Sequence, residues 1–159
     1  MSKRVDQPNA PWGLARISGR AKIASRPLTE QNTYHFDPQG GSGTVGYVVD
    51  TGIYTQHTEF GGRASWGTSF VPSDTPVDCS GLNIILNPLQ CLFDPAQGSG
   101  MVYVDDNGHG THCAGTLGGT SVGVAKQAKL VAVKVLNGGG SGSTSDIIAA
   151  LDWGAFLSF

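Results

Sequence analysis

"TVGYVVDTG", Thr44 to Gly52, is the stretch on which the fold turns. Its β-branched and aromatic run reads as a buried strand, and the Asp50-Thr51-Gly52 that closes it reads as a turn. The Asp50 side chain therefore emerges where the strand stops. Downstream, "KLVAVKVL" (Lys129 to Leu136) is a second run of the same kind, closed by the turn-forming "NGGGSG" (Asn137 to Gly142). Between the two, Gly110 to Leu117 predicts a short helix begun at His109, with residues small enough on every face to lie inside a core. Beyond the second strand, Ser143 with Asp146 three positions on is a capping signal, and Ile147, Ile148, Leu151 and Ala155 follow at helical spacing. Strand, helix, strand, helix predicts the α/β class, with a mainly parallel sheet flanked by helices. In such sheets functional groups gather beyond the carboxyl ends of the strands, which is the position of Asp50.

The totals bound the rest. A chain of 159 residues is the length of one domain, and its 24 glycines, about twice average usage, call for many tight turns and close backbone approaches. Ten basic against twelve acidic residues, scattered along the chain, leave no electrostatic footprint for a nucleic acid. No run reaches the length of a membrane span, and Met1 to Gly13 lacks the apolar stretch of a secretory signal. Cys79, Cys91 and Cys113 make an odd count, so at least one is unpaired within a monomer, and the redox compartment stays open. Val71 to Val104 follows no consistent period and reads as an insertion. "GSGTVG" (Gly41 to Gly46) has the spacing of a dinucleotide fingerprint but precedes a strand instead of following one, so it reads as a loop.

The candidate chemistry lies in Asp50 and His109. Histidine is the side chain best suited to move protons near neutral pH, and it needs partners to do so productively. A carboxylate at a strand end and an imidazole at a helix start supply two members of a catalytic triad, the carboxylate holding the imidazole's tautomer and steadying the imidazolium. The amino end of a helix disfavours positive charge on His109, which gives the carboxylate electrostatic work. A metal site is not expected: His109 and His112 stand three positions apart with no intervening glutamate, and no third ligand has recognisable spacing.

These residues resemble a family. "YVVDTGIYTQHTEFGGRA" resembles the aspartate motif of subtilisin-like serine proteases, and "DNGHGTHCAGTLGG" resembles their histidine motif. "NAPWGLARIS" (Asn9 to Ser18) is similar to the start of a mature proteinase K-like enzyme, and "GVAKQAKLVAVKVLN" and "GSTSDIIAALDW" resemble the segments after the histidine helix. The resemblance implies a partial subtilisin-like fold, incomplete at its C-terminal side, over residues 9–159, with 71–104 as an atypical insertion and 1–8 as an N-terminal extension. It implies Asp50 as catalytic aspartate, His109 as general base, and a structural part for His112. Cys113 resembles the thiol beneath the histidine in the proteinase K branch, and Gly138 to Gly142 a loop bordering the substrate cleft. A serine endopeptidase acting on proteins or peptides, monomeric and secreted, follows by the same resemblance. No cofactor is needed for its chemistry; structural calcium is common in the family, with no complete site matched by residues here.

The family's nucleophile lies in a Gly-Thr-Ser-Met-Ala segment, which does not occur in this chain. Gly-Thr-Ser occurs at Gly67 to Ser69 and at Gly119 to Ser121. The order Asp, His, Ser excludes Ser69, and Ser121 follows the histidine helix instead of opening a helix of its own. The expectation is a chain that holds acid and base without the serine and has no peptidase activity alone, with Ser80 to Val104 and Gly154 to Phe159 read as translated non-coding sequence. The competing expectation is a non-catalytic fragment that associates through its exposed sheet edge and apolar helix faces.

Overall fold

A computed structural model describes residues 4–22, 31–72, 77–78, 101–102 and 104–156. Strands β1 (Val5–Gln7), β2 (Tyr34–Phe36), β3 (Val45–Asp50), β4 (Ala64–Ser69), β5 (Val77–Asp78), β6 (Met101–Val102) and β7 (Lys129–Lys134) accompany helices α1 (Trp12–Ile17), α2 (His109–Gly118) and α3 (Thr144–Phe156). The central sheet has the order β3-β7-β4 and is parallel throughout. Its middle strand, β7, carries the most continuous apolar run, as burial on both faces requires. Leu130, Ala132 and Val133 are fully buried.

Alternation along the strands divides the core into two layers. One face gathers Val48, Ala64, Trp66, Leu130 and Ala132 against Ala114 of α2, together with Ile53 and Phe60. The other gathers Tyr47, Val49, Val131 and Val133 against Ile147, Ala150 and Trp153 of α3. The two helices therefore cover opposite faces of the sheet. Helix α2 turns Gly110, Ala114, Gly115 and Gly118 inward, and its approach is close: a Cβ on Gly118 would meet Leu130 Cδ2 at 3.1 Å. The expected small-residue helix lies where its composition indicated, and the strands at Thr44 to Gly52 and Lys129 to Leu136 appear as β3 and β7.

Strand β4 was not anticipated. Its sequence, ASWGTS, includes the Gly67 to Ser69 decoy and has little apolar alternation, and its pairing with β7 shifts register between Trp66 and Thr68. Packing supplies the reason for the glycine: a Cβ on Gly67 would stand 2.6 Å from Trp153 and 2.8 Å from Val131. That irregularity lets α3 seat its tryptophan. Gly41 and Gly43 sit in a turn at φ +87° and +76°, in line with the loop reading of "GSGTVG". Asp146 N–H donates to Ser143 Oγ at 3.1 Å, the forward half of the expected cap, and α3 continues past Gly154 to Phe156.

The amino-terminal segment forms a satellite. β1 pairs antiparallel with β2, and Ala10 and Leu14 pack with Tyr34 and Phe36. Lys126 lies over the Tyr34 and Phe36 rings at 5.5 and 5.3 Å and donates to Thr120 and Ser121 carbonyls, tying this segment to the exit of α2. Within the expected insertion, β5 and β6 pair antiparallel, Val77 with Val102 and Asp78 with Met101. Cys79, Cys91 and most of Ser80 to Val104 lie outside the described residues.

Candidate active site

Residues 59 positions apart meet at the carboxyl end of β3. Asp50 is the last residue of that strand and His109 the first of α2, and the His109 Nδ1–H donates to the Asp50 carboxylate with both oxygens at 2.9 Å. The Asp50 side chain is 13% exposed and that of His109 is 63% exposed, so the carboxylate is seated and the ring faces outward. The hydrogen bond from His109 and the charge of Asp50 raise the imidazole's pKa above its ordinary value; burial opposes this weakly, and Asp105 adds to it. The pair can accept a proton on the ring's other nitrogen, Nε2, while the carboxylate stabilises the cation formed.

Strand end and helix start are joined by more than this pair. Thr51, next to Asp50, donates its N–H to Asp50 Oδ1 at 2.7 Å and its hydroxyl to Asp105 Oδ1 at 2.9 Å, and it accepts the Gly110 N–H at 2.9 Å. Asp105 also accepts the N–H groups of Asn107 (3.2 Å), Gly108 (2.8 Å) and Thr111 (3.0 Å) and the Thr111 hydroxyl. Burial pushes the Asp105 carboxyl up, but the Thr111 hydroxyl, the Gly108 N–H, the Thr51 hydroxyl and the Thr111 N–H together hold it below the usual range. Beside this network, Lys134 is 1% exposed and donates to Thr51 O, Leu136 O and Asp106 Oδ1 at 2.8, 2.8 and 2.7 Å. Asn107 Nδ2 donates to Gly138 O at 3.0 Å, so the glycine loop after β7 is drawn to the same end of the sheet.

None of Thr51, Asp105, Asp106 and Lys134 was singled out by sequence reasoning. The local signals were present in the Asp-Thr-Gly turn and in the acidic pair ahead of "NGHG", but only contact across the fold gives them partners.

The remaining candidates fall away from the pair. Ser121 lies beyond the far end of α2, whose ten residues span about 15 Å at the usual rise per residue. Its hydroxyl bonds Glu59 Oε1, and its N–H donates to Glu59 Oε2 at 2.8 Å. Arg63 donates to Gly118 O at 2.7 Å and to Ala128 O at 3.0 Å, so the latter part of the aspartate motif serves to hold the helix exit. Ser69 ends β4, with its hydroxyl accepting the Val71 N–H. His112 is exposed on α2 and borders a groove of about 910 Å³ that Trp12, Leu14, His57, Phe60 and Val122 also line.

Cys113 Sγ lies 3.8 and 4.0 Å from the two ring nitrogens of His109. Burial and the nearby Asp50 carboxylate push its thiol pKa up, which makes it a poor nucleophile. Among the described residues, Asp50, His109 and Cys113 are the one grouping of three metal-ligating side chains, with their atoms within 4.8 Å. Within this grouping the Asp50 carboxylate is engaged by the His109 ring nitrogen at 2.9 Å.

The chain is 44% identical over 144 residues to Subtilisin-like protease 2 of Pseudogymnoascus destructans, covering 91% of this chain and 28% of that protein. It is 43% identical over 147 residues to Proteinase T of Parengyodontium album, covering 92% and 39%. The crystal structure of a cold adapted subtilisin-like serine proteinase superposes with a TM-score of 0.65 at 39% identity, over 93% of this chain and 42% of that one. The chain thus spans roughly a quarter to two-fifths of the length of these relatives. The subtilase family model matches residues 41–155, a span that contains the whole parallel sheet, helix α2, all but the last residue of α3 and the Asp50–His109 pair, and the chain belongs to the subtilase family.

Proposed function

We propose that the chain carries the acid and the base of a serine endopeptidase, with Asp50 as the orienting carboxylate and His109 as the general base. The observation that supports this best is the Asp50–His109 hydrogen bond at 2.9 Å, made through Nδ1 at the carboxyl end of a parallel sheet. In the reaction a serine hydroxyl attacks the scissile carbonyl carbon as its proton passes to His109 Nε2. The C–N bond then breaks as Nε2 returns that proton to the leaving amine, and water repeats the sequence on the acyl-enzyme. The serine comes from family sequence that this chain does not contain, and the chemistry as proposed needs no cofactor. Proteins or peptides are the proposed substrates, by analogy with relatives named as proteases, and a place outside the cell follows from the family resemblance alone.

Two measurements test this. The chain by itself is expected to give no labelling by a serine-directed fluorophosphonate, and labelling at Ser121 would overturn the assignment. Residues 9–153 exchanged for the matching segment of Proteinase T are expected to yield a chimera that hydrolyses a protein substrate. D50A and H109A in that chimera should each lose several orders of magnitude of kcat. Activity retained in H109A refutes the proposal.

A second reading, association without catalysis, has its own support. Trp12 is 74% exposed beside the groove on α2, and Ile148 and Leu151 are exposed on α3. Sedimentation of the chain distinguishes the two: a concentration-independent monomer removes this reading.

A further inference from the structure

We propose that Thr51 and Asp105 are positioning residues, a hydrogen-bond relay that sets the place of the His109 imidazole relative to Asp50. The inference rests on the reading of Asp50 and His109 as acid and base for its catalytic meaning. Its physical content is independent of that reading.

The residue at the N-cap of helix α2 supplies no side-chain acceptor, and the His109 N–H goes to Asn107 Oδ1 at 3.2 Å. That N-cap is Gly108, in the left-handed region at φ +95°. Helices usually satisfy their first N–H groups from the residue just before them. Here the Gly110 N–H goes to Thr51 Oγ1, on the turn that ends β3, and the Thr111 N–H goes to Asp105 Oδ2. The acceptor for Gly110 thus comes from the turn that ends the strand carrying Asp50, and those for His109 and Thr111 come from Asn107 and Asp105 of the preceding loop. The helix start is therefore registered to the strand end and not only to its own loop.

The direction of each bond is forced by chemistry. An ionised carboxylate only accepts, and a backbone N–H only donates. The single Thr51 hydroxyl proton must point to Asp105 Oδ1, which leaves the oxygen's lone pairs for Gly110 N–H. With its own N–H on Asp50 Oδ1, Thr51 bonds the Asp50 carboxylate directly and, through Gly110, the residue after His109, while only 1% exposed. Asp105 completes the relay from the other side: the Asn107, Gly108 and Thr111 N–H groups and the Thr111 hydroxyl suspend residues 107–111 from one carboxylate. Its negative charge also sits at the amino end of α2, where it offsets the helix field that opposes a cation on His109.

A purely structural role for these residues would show as lost stability alone. A positioning role shows in the imidazole itself, because Asp50 holds the Nδ1–H tautomer only while the ring stays in register. The test uses the full chain, labelled with ¹⁵N at histidine, at a pH where the His109 ring is neutral. Ring nitrogen shifts report the ratio of Nδ1–H to Nε2–H tautomers, and near-ultraviolet circular dichroism confirms the fold. Wild type and T51S, which keeps the hydroxyl, are expected to favour Nδ1–H. T51V and D105N are expected to lower the ratio about tenfold, the low end for weakening a hydrogen bond to a charged group.

A folded T51V with the wild-type ratio overturns the proposal, as does T51S behaving like T51V. Should T51V not fold, D105N, isosteric with the native residue, decides in the same way. No nucleophile or substrate enters the measurement. The relay can therefore stand while the peptidase assignment fails, or fail while that assignment stands.

Discussion

Gly110 is where the site's geometry leaves no room. A Cβ at this position would stand 2.1 Å from the Gly52 carbonyl oxygen and 3.1 Å from Gly52 C and N. Relief from 2.1 Å to an ordinary contact near 3.4 Å needs a displacement of about 1.3 Å, and the opposing atoms are backbone, not the end of a flexible chain. The start of α2 must lift from the turn after β3. Lifting it breaks the Gly110 N–H bond to Thr51 and stretches the His109–Asp50 bond that begins one residue earlier.

Overpacking of this kind costs about 1–3 kcal/mol, and each lost hydrogen bond about 1 kcal/mol more, against about 1 kcal/mol gained from alanine's helix propensity. Gly110→Ala is expected to destabilise the chain by about 3 kcal/mol. Gly115, also on the inward face of α2, is the control: its Cβ would meet nothing nearer than Val122 Cγ2 at 3.7 Å. Gly115→Ala is expected to stabilise by up to about 1 kcal/mol. Urea unfolding followed by tryptophan fluorescence measures both, with the buried Trp66 among the reporters. If Gly110→Ala falls within about 1 kcal/mol of wild type, or moves with Gly115→Ala, the close approach of helix and turn is wrong.

Two further outcomes follow from the same end of the sheet. The Asp50 hydrogen bond holds the His109 pKa above its ordinary value of 6.5, so Asp50→Asn is expected to lower it in an NMR titration of the ring; an unchanged midpoint would separate the two side chains. Because the folded value is the higher one, this pairing stabilises the fold below about pH 6.5 and the contribution fades as pH rises through the folded value, a loss that Asp50→Asn should abolish. Lys134→Met leaves the Thr51 and Leu136 carbonyls without their ammonium donor, while Asp106, half exposed, regains water. A loss of about 3 kcal/mol is expected in urea unfolding, and a change below about 1 kcal/mol would show that the buried ammonium does not hold this end of the sheet together.

Much of the arrangement could be read from local pattern. β3 and β7 announce themselves by continuous β-branched runs ended by turn residues. α2 is marked by small residues between them, and α3 by a serine cap and helical spacing. Each of these signals is carried by neighbours in the chain, so hydrophobic period and turn chemistry suffice to place Asp50 at a strand end and His109 at a helix start. β4 escaped because Gly67, which gives way to Trp153 and Val131, and the polar residues around it erase the alternation that marks a strand. The order β3-β7-β4 was likewise hidden, since pairing is chosen by packing over the whole sheet.

The sequence by itself determined the two strands, the helix between them and the identity of the acid and base candidates, because those depend on interactions within a few residues. Only the tertiary structure decided that Asp50 and His109 bond through Nδ1, and that Thr51, Asp105 and Lys134 secure the place where they meet. The Thr51–Asp105 contact spans 54 positions and the Lys134–Thr51 contact spans 83. Hydrogen bonds over such distances leave no periodic trace in the chain, and they form only once the sheet has brought its carboxyl ends together.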